Sequence, residues 1–281
     1  MKLIRFGKKG FEKPGIEING KRLDCSAHFA DWNHDFFQEN GISKLKKLYS
    51  ETGEKLPEVN SSIRLGSPVA RPGMIMCIGL NFSDHAAESG MPLPTEPILF
   101  MKATNTLSGP NDDVSIPPNS KKTDWEVELG IVIGKDCYQL KNDADGEDHI
   151  AGYTLVHDVS EREFQIERGG QWVKGKSCPG FSPVGPYLVF KEDIDDVLNL
   201  GMHLSVNGQS MQDGNTKFMV FKPDHLVYYI SQFMQLEAGD LVSTGTPPGV
   251  GLGMKPAVYL KRGDEVILSI DQLGTQQQKF I

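Results

Sequence analysis

The chain has little that would suit it to an oxidising compartment, a membrane or a nucleic acid. Its four cysteines, Cys25, Cys77, Cys137 and Cys178, are widely scattered and form no C-x-x-C pair. That excludes a recognisable disulfide framework or zinc motif and leaves four reduced thiols as the expectation. No apolar run approaches the roughly 20 residues of a membrane helix. The first ten residues lack the apolar core of a signal peptide, so a cytoplasmic protein is expected. Positive charge is in deficit, with 29 Lys and Arg against 37 Asp and Glu for a net charge of −8. Such a balance argues against a nucleic-acid surface. Internal repeats and low-complexity segments are also missing, as is the regular strand–helix alternation of a parallel α/β fold.

What is present, over 281 residues with 38% apolar and 23% charged content, is an ordinary globular pattern. Lys2 to Phe6 reads as a strand, and residues 15–23 read as a hairpin turning at Asn19-Gly20. Trp32 to Leu48 has helical spacing. Pro57 to Pro72 is irregular, with Gly66, Pro68 and Pro72, and marks a boundary between a small N-terminal α+β domain, 1–70, and a larger one, 71–281. From Gly73 onward, short apolar runs alternate with Gly, Pro, Asn and Asp. Strands are expected at 74–78, 98–101, 125–133, 152–156, 184–190, 204–206, 241–244 and 265–270, with one clear helix from Pro223 to Leu236. The fold class is therefore β-rich α+β.

The sharpest chemical signal is Asp124-Trp-Glu-Val-Glu-Leu-Gly130. Alternate residues of a strand share a face, so Glu126 and Glu128 point the same way and repel unless water or a cation lies between them. On spacing alone the pair reads as a solvated strand end. Asp158, which ends the apolar run Gly152-Tyr-Thr-Leu-Val-His-Asp158, changes the balance by offering a third oxygen ligand. An all-carboxylate set suits Mg²⁺, Mn²⁺ or Ca²⁺ rather than Zn²⁺. His157 alternates to the opposite face and reads as structural. A second pair, His85 and Glu88, lies at i and i+3 in Asn81-Phe-Ser-Asp-His-Ala-Ala-Glu88, where the carboxylate can orient the imidazole; a solvated pair is the plainer reading. Lys176, in a Gly- and Pro-rich bend, offers an ammonium to a carboxylate. The loop Thr244 to Gly251 can present hydroxyls and N–H groups to an anion, but it lacks the Gly-Lys-Ser/Thr ending of a nucleotide loop.

Five segments together resemble the fumarylacetoacetate hydrolase family: Gly79 to His85, Asp124 to Gly130, Gly152 to Asp158, Lys176-Ser177, and Gly245-Thr-Pro-Pro-Gly-Val-Gly251. They stand in the family's order across residues 73–281. The N-terminal start, with Lys13-Pro-Gly-Ile16, is similar to the branch of 2,4-diketo-3-deoxy sugar acid hydrolases, often called ureidoglycolate lyases. The resemblance implies a mixed β-roll catalytic domain, a homodimer, and Mg²⁺ or Mn²⁺ on Glu126, Glu128 and Asp158. It implies a His85–Glu88 catalytic dyad on a lid, a catalytic Lys176, and substrate contacts from Arg162, Gln165 and Thr246. The implied reaction is hydrolysis of a C–C bond in a 2,4-diketo acid, giving pyruvate and a carboxylic acid. Ureidoglycolate cleavage, oxaloacetate decarboxylation and keto-acid tautomerisation would use the same site, and a non-catalytic metal- or carboxylate-binding protein is the alternative from another class.

Overall fold

The structure is a computed structural model and describes residues 1–84 and 93–281. Its first strands follow from local chemistry. Strand β1 (Lys2–Phe6) is followed by β2 (Lys13–Ile18) and β3 (Lys21–Asp24), joined through Asn19 and Gly20 at φ 50° and 77°. Two successive positive φ values match the right-handed twist of the strands they connect, and Asn-Gly tolerates them at least cost. The helical spacing at 32–48 resolves into two helices, α1 (His34–Gln38) and α2 (Gly41–Thr52). Asn40, in the left-handed region at φ 58°, separates them.

A large mixed sheet organises the chain. Further strands are β4 (Glu58–Val59), β5 (Leu65–Gly66), β6 (Ile75–Gly79), β7 (Ile98–Lys102), β8 (Val127–Ile133), β9 (Ile150–His157) and β10 (Leu188–Phe190). A four-stranded antiparallel sheet is built from β11 (Gly201–Val206), β12 (Gln209–Asn215), β14 (Glu265–Ile270) and β15 (Gly274–Lys279), while β13 (Leu241–Ser243) belongs to the large sheet. The large sheet runs β4-β3-β2-β1-β10-β9-β8-β13-β6-β7, with β5 on β1. Its pairings are antiparallel except β13 on β6. Strands β1 to β4 thus continue the sheet that carries β8 and β9.

Both faces of this sheet are covered. Val127, Leu129 and Ile131 of β8 join a core with Met202, Leu204, Val266 and Leu268 of the smaller sheet and with Leu226 and Ile230 of α3 (Pro223–Ser231). Val132, on the other face, joins Leu3, Ile16, Trp32, Phe36, Leu45 and Leu188. Residues from 1–70 and from the rest of the chain therefore share one core.

The sequence-based strands at 2–6 and 265–270 coincide with β1 and β14. The run at 184–190 shortens to Leu188–Phe190, because Pro186 has no N–H to give a ladder. Strand β15 was missed, since Gln276 and Gln278 sit fully buried where an apolar period was sought, and β12 was missed because its one buried residue is Gln212. Their amides are satisfied internally: Gln276 Nε2 donates to the Leu155 and Gly185 carbonyls at 2.9 Å each. Among the described residues no helix is long and apolar enough to cross a membrane, and all four cysteines are free thiols.

Candidate active site

The register of β8 and β9 assembles the acids. Val127 faces His157 and Glu128 faces Val156, while the Asp158 N–H donates to the Glu126 carbonyl at 3.0 Å just beyond the ladder. The two-residue period then places Glu126, Glu128 and Asp158 on one face. One carboxylate oxygen from each lies within 4.8 Å of the others, and the three residues are 7%, 2% and 0% exposed.

Three buried acids need compensation, and three buried cations supply part of it. Lys176 Nζ bridges Glu126 Oε2 at 2.5 Å and Asp158 Oδ2 at 2.7 Å. Lys102 Nζ binds Asp158 Oδ1 and the carbonyls of Val159 and Phe181. Arg162 donates through Nε to Asp124 at 2.8 Å, through Nη2 to Glu126 at 2.7 Å, and through Nη1 to Gln165 at 3.1 Å. Burial alone would raise Glu126, but Arg162 and Lys176 outweigh it and hold that carboxyl far below its ordinary range. Burial also opposes the charge on Lys176, yet Asp158 and Glu126 keep the ammonium protonated, with its pKa raised.

Glu128 is the exception. It accepts from Ser243 Oγ at 2.6 Å and the Gly245 N–H at 2.9 Å. Burial, with Asp158 and Glu126 beside it, pushes it up to about 8. A buried carboxyl that resists ionisation next to two carboxylates is what a hard dication would relieve, because added positive charge favours all three anions. The donor set, all oxygen and converging within 4.8 Å, therefore fits a divalent cation of the Mg²⁺ or Mn²⁺ kind.

His157 lies on the other face. Its Nδ1 is 3.0 Å from Gln278 Oε1, its ring packs edge-on to Phe280, and burial lowers its pKa to about 4. That is a structural histidine.

Above the acids lies a cavity of about 470 Å³ lined by Glu126, Glu128, Arg162, Gln165, Lys176 and Thr246, with apolar walls that include Ile98, Phe100, Trp172 and Leu252. Gln165 stands on a π-helical turn, Glu163–Glu167. The Thr246 hydroxyl donates to the Val127 carbonyl at 2.9 Å and accepts from Gln212 Nε2 at 2.8 Å. Its only proton is committed, so toward a ligand this side chain can only accept. The fully buried Asn81 fastens the loop after β6 by donating to the carbonyls of Phe221 and Thr244. His85 and Glu88 lie outside the described residues.

Two groups were missed in the sequence. Lys102, 1% exposed, ends the apolar run Ile98–Met101 as an ordinary solvated lysine would. Asp124 belongs to the quoted motif but was given no task. It takes four donors: Arg162 Nε and the N–H groups of Trp125, Gly251 and Leu252.

This is a buried polyacid centre at the floor of a ligand-sized cavity, on mixed and antiparallel sheets with few helices. Residues 74–281 match the family described as "Fumarylacetoacetate (FAA) hydrolase C-terminal". The chain belongs to the fumarylacetoacetate hydrolase family. A Burkholderia multivorans relative with a provisional hydrolase name is 50% identical over 280 residues, covering 99% of this chain and 98% of its own. The fumarylacetoacetate hydrolase of psychrophilic Exiguobacterium antarcticum superposes with a TM-score of 0.85 at 31% identity, over 100% of this chain and 99% of that one. The maleylpyruvate hydrolase of Sphingobium sp. SYK-6, solved with manganese(II) and pyruvate, gives a TM-score of 0.83 at 26% identity with the same coverages.

Proposed function

We propose that the protein hydrolyses a C–C bond of a 2,4-diketo acid, an acylpyruvate or 2,4-diketo-3-deoxy sugar acid, to pyruvate and a carboxylic acid. It belongs by this reading to the branch of diketo sugar acid hydrolases, acts as a homodimer, and uses Mg²⁺ or Mn²⁺. The observation that carries the reading is the meeting of three buried carboxylates and two buried, ion-paired cations, Lys176 and Arg162, on the floor of an apolar-walled cavity. The maleylpyruvate hydrolase neighbour supports it, since that enzyme is named for an acylpyruvate and holds manganese(II) and pyruvate.

Glu126, Glu128 and Asp158 would hold the dication, which when bound supplies Lewis-acid charge to the carboxylate and 2-keto oxygen of the substrate. His85 and Glu88, assigned by resemblance, take a proton from the water that attacks the C4 carbonyl. The adduct collapses with cleavage of the C3–C4 bond. Its electron pair passes to C3 as the enolate of pyruvate, and protonation there completes the product. Lys176, already between Glu126 and Asp158, places an ammonium where negative charge develops. Arg162 is held by Asp124 and Gln165 and fixes the angle of Glu126. Gln165 and the accept-only hydroxyl of Thr246 face the substrate from the cavity wall.

The test is a panel of 2,4-diketo acids assayed for pyruvate with Mg²⁺, with Mn²⁺ and with EDTA, beside oxaloacetate and ureidoglycolate. Turnover of diketo acids that EDTA abolishes supports the proposal. Preferential turnover of oxaloacetate or ureidoglycolate would transfer the site to decarboxylase or lyase chemistry.

A further inference from the structure

The floor of the cavity accounts for the keto-acid end of a substrate but leaves its far end unread. The walls beyond the acids are apolar: Ile98, Ile166, Trp172, Val250 and Leu252. Among the described residues one charged lining residue remains, Lys255. It is exposed, whereas Glu126 and Glu128 are buried, so it stands at the mouth while they form the floor.

We infer that Lys255 reads the distal end of the substrate and selects keto acids that carry a second carboxylate there. This rests on the keto-acid reading of the site and chooses within it an acylpyruvate with a distal carboxylate, because a 2,4-diketo-3-deoxy sugar acid ends in neutral hydroxyls. Three observations lead to it. First, the other cations at the site are committed: Arg162 to Asp124 and Glu126, Lys176 to Glu126 and Asp158, and Lys102 to Asp158. Lys255 has no ion pair or hydrogen bond with a described residue. Among the described residues nothing competes with a ligand for its charge.

Second, the loop bearing Lys255 is fastened to the acids. The Gly251 and Leu252 N–H groups donate to the two oxygens of Asp124 at 2.7 and 3.0 Å, and Asp124 holds Arg162, which holds Glu126. The Val258 N–H donates back to the Gly251 carbonyl at 3.0 Å and closes the loop on itself. Gly251 is required at this crossing, since a Cβ would come within 2.0 Å of the Val258 carbonyl oxygen. A free surface lysine waves in solvent, but the backbone of this one is set relative to the floor. Third, the chain as a whole carries −8. A dianionic ligand approaching such a surface is repelled unless a local cation at the entrance offsets the field.

A second carboxylate near Lys255 would gain a charge-assisted hydrogen bond, screened in part by water at the mouth. The experiment uses calorimetry on the Mg²⁺-loaded protein with matched ligands. These are 2-oxoglutarate, 2-oxoadipate and 2-oxopimelate, each against the monocarboxylic 2-oxo acid of the same carbon number. The wild type should prefer the diacid at one chain length at least, by about fivefold, with the preference shrinking as salt is added. Lys255→Met should abolish the preference without weakening the monocarboxylic ligand, and Lys255→Arg should keep it. A wild type with no preference at any length, or a Lys255→Met protein that retains it, would overturn the assignment and leave the keto-acid reading standing. If no 2-oxo acid binds at all, the keto-acid reading fails and the role of Lys255 falls with it.

Discussion

Replacing Lys176 by Met tests whether the ammonium and a metal ion balance the same charge. The buried centre holds four acids, Asp124, Glu126, Glu128 and Asp158, and three cations, Lys102, Arg162 and Lys176. Burial, with Asp158 and Glu126 beside it, pushes Glu128 up to about 8, so its carboxyl resists ionisation while Asp124, Glu126 and Asp158 face the three cations. Lys176→Met removes one positive charge and leaves Glu126 Oε2 and Asp158 Oδ2 without their 2.5 and 2.7 Å donor. Breaking a buried pair from one side costs about 3–5 kcal/mol, so the metal-free variant should lose stability on that scale. A dication should recover part of the loss. If the unpaired carboxylates bind Mg²⁺ about tenfold more tightly than in the wild type, saturating metal adds about 1.4 kcal/mol more stabilisation to the variant than to the parent. Urea denaturation of both proteins, with EDTA and with excess Mg²⁺, measures all four stabilities. Equal metal-free stabilities, or an equal Mg²⁺ increment in both proteins, would refute the shared-charge argument.

Glu128→Gln should lower metal affinity and turnover together, because it removes one of three ligand carboxylates while keeping the volume; unchanged Mg²⁺ affinity by calorimetry would count against the assigned ligand set. His85→Ala and Glu88→Ala should each lower C–C hydrolysis by about 10²- to 10⁴-fold, the usual worth of a positioned acid or base, with metal affinity retained; wild-type rates in either variant would remove the dyad from the mechanism. Burial lowers His157 to about 4. The unfolded chain, whose histidine titrates near 6.5, takes up this proton first, so stability should fall as pH drops through that window, by about 2 kcal/mol between about pH 7.5 and about pH 5. His157→Gln should flatten that slope, and an unaltered slope would show that another group titrates.

The convergence of the three acids was legible because it depends on one strand and its immediate partner. The two-residue period of β8 puts Glu126 and Glu128 together, and the antiparallel register delivers Asp158 beside them. The same period correctly sent His157 to the opposite face. What was not legible depends on contacts that no local pattern encodes. Lys102 and Asp158 are 56 residues apart and meet although β8, β13 and β6 lie between β9 and β7 in the sheet, so no strand pairing announces the contact. Asp124 meets the loop at 251–252 across more than a hundred residues. The pairing of Thr123–Asp124 with Ser160–Glu161 is two residues long, too short for any periodicity. Strand β15 carries glutamines whose partners are backbone carbonyls of distant segments, so its burial left no apolar trace.

The continuity of the large sheet makes the boundary near residue 70 a change of sequence pattern and not a mechanical joint. Removing residues 1–70 would strip β1 from β10 and open a row of unpaired N–H and C=O groups along Leu188–Phe190. It would also uncover Val132, Leu188 and Phe190, which now pack with Leu3, Trp32 and Phe36. The adjoining strands are β9 and β8, which carry the acids. Among the described residues the N-terminal segment lends no side chain to the cavity lining, yet it acts as a splint: the convergence of the three acids is held by strands whose outer neighbour it supplies.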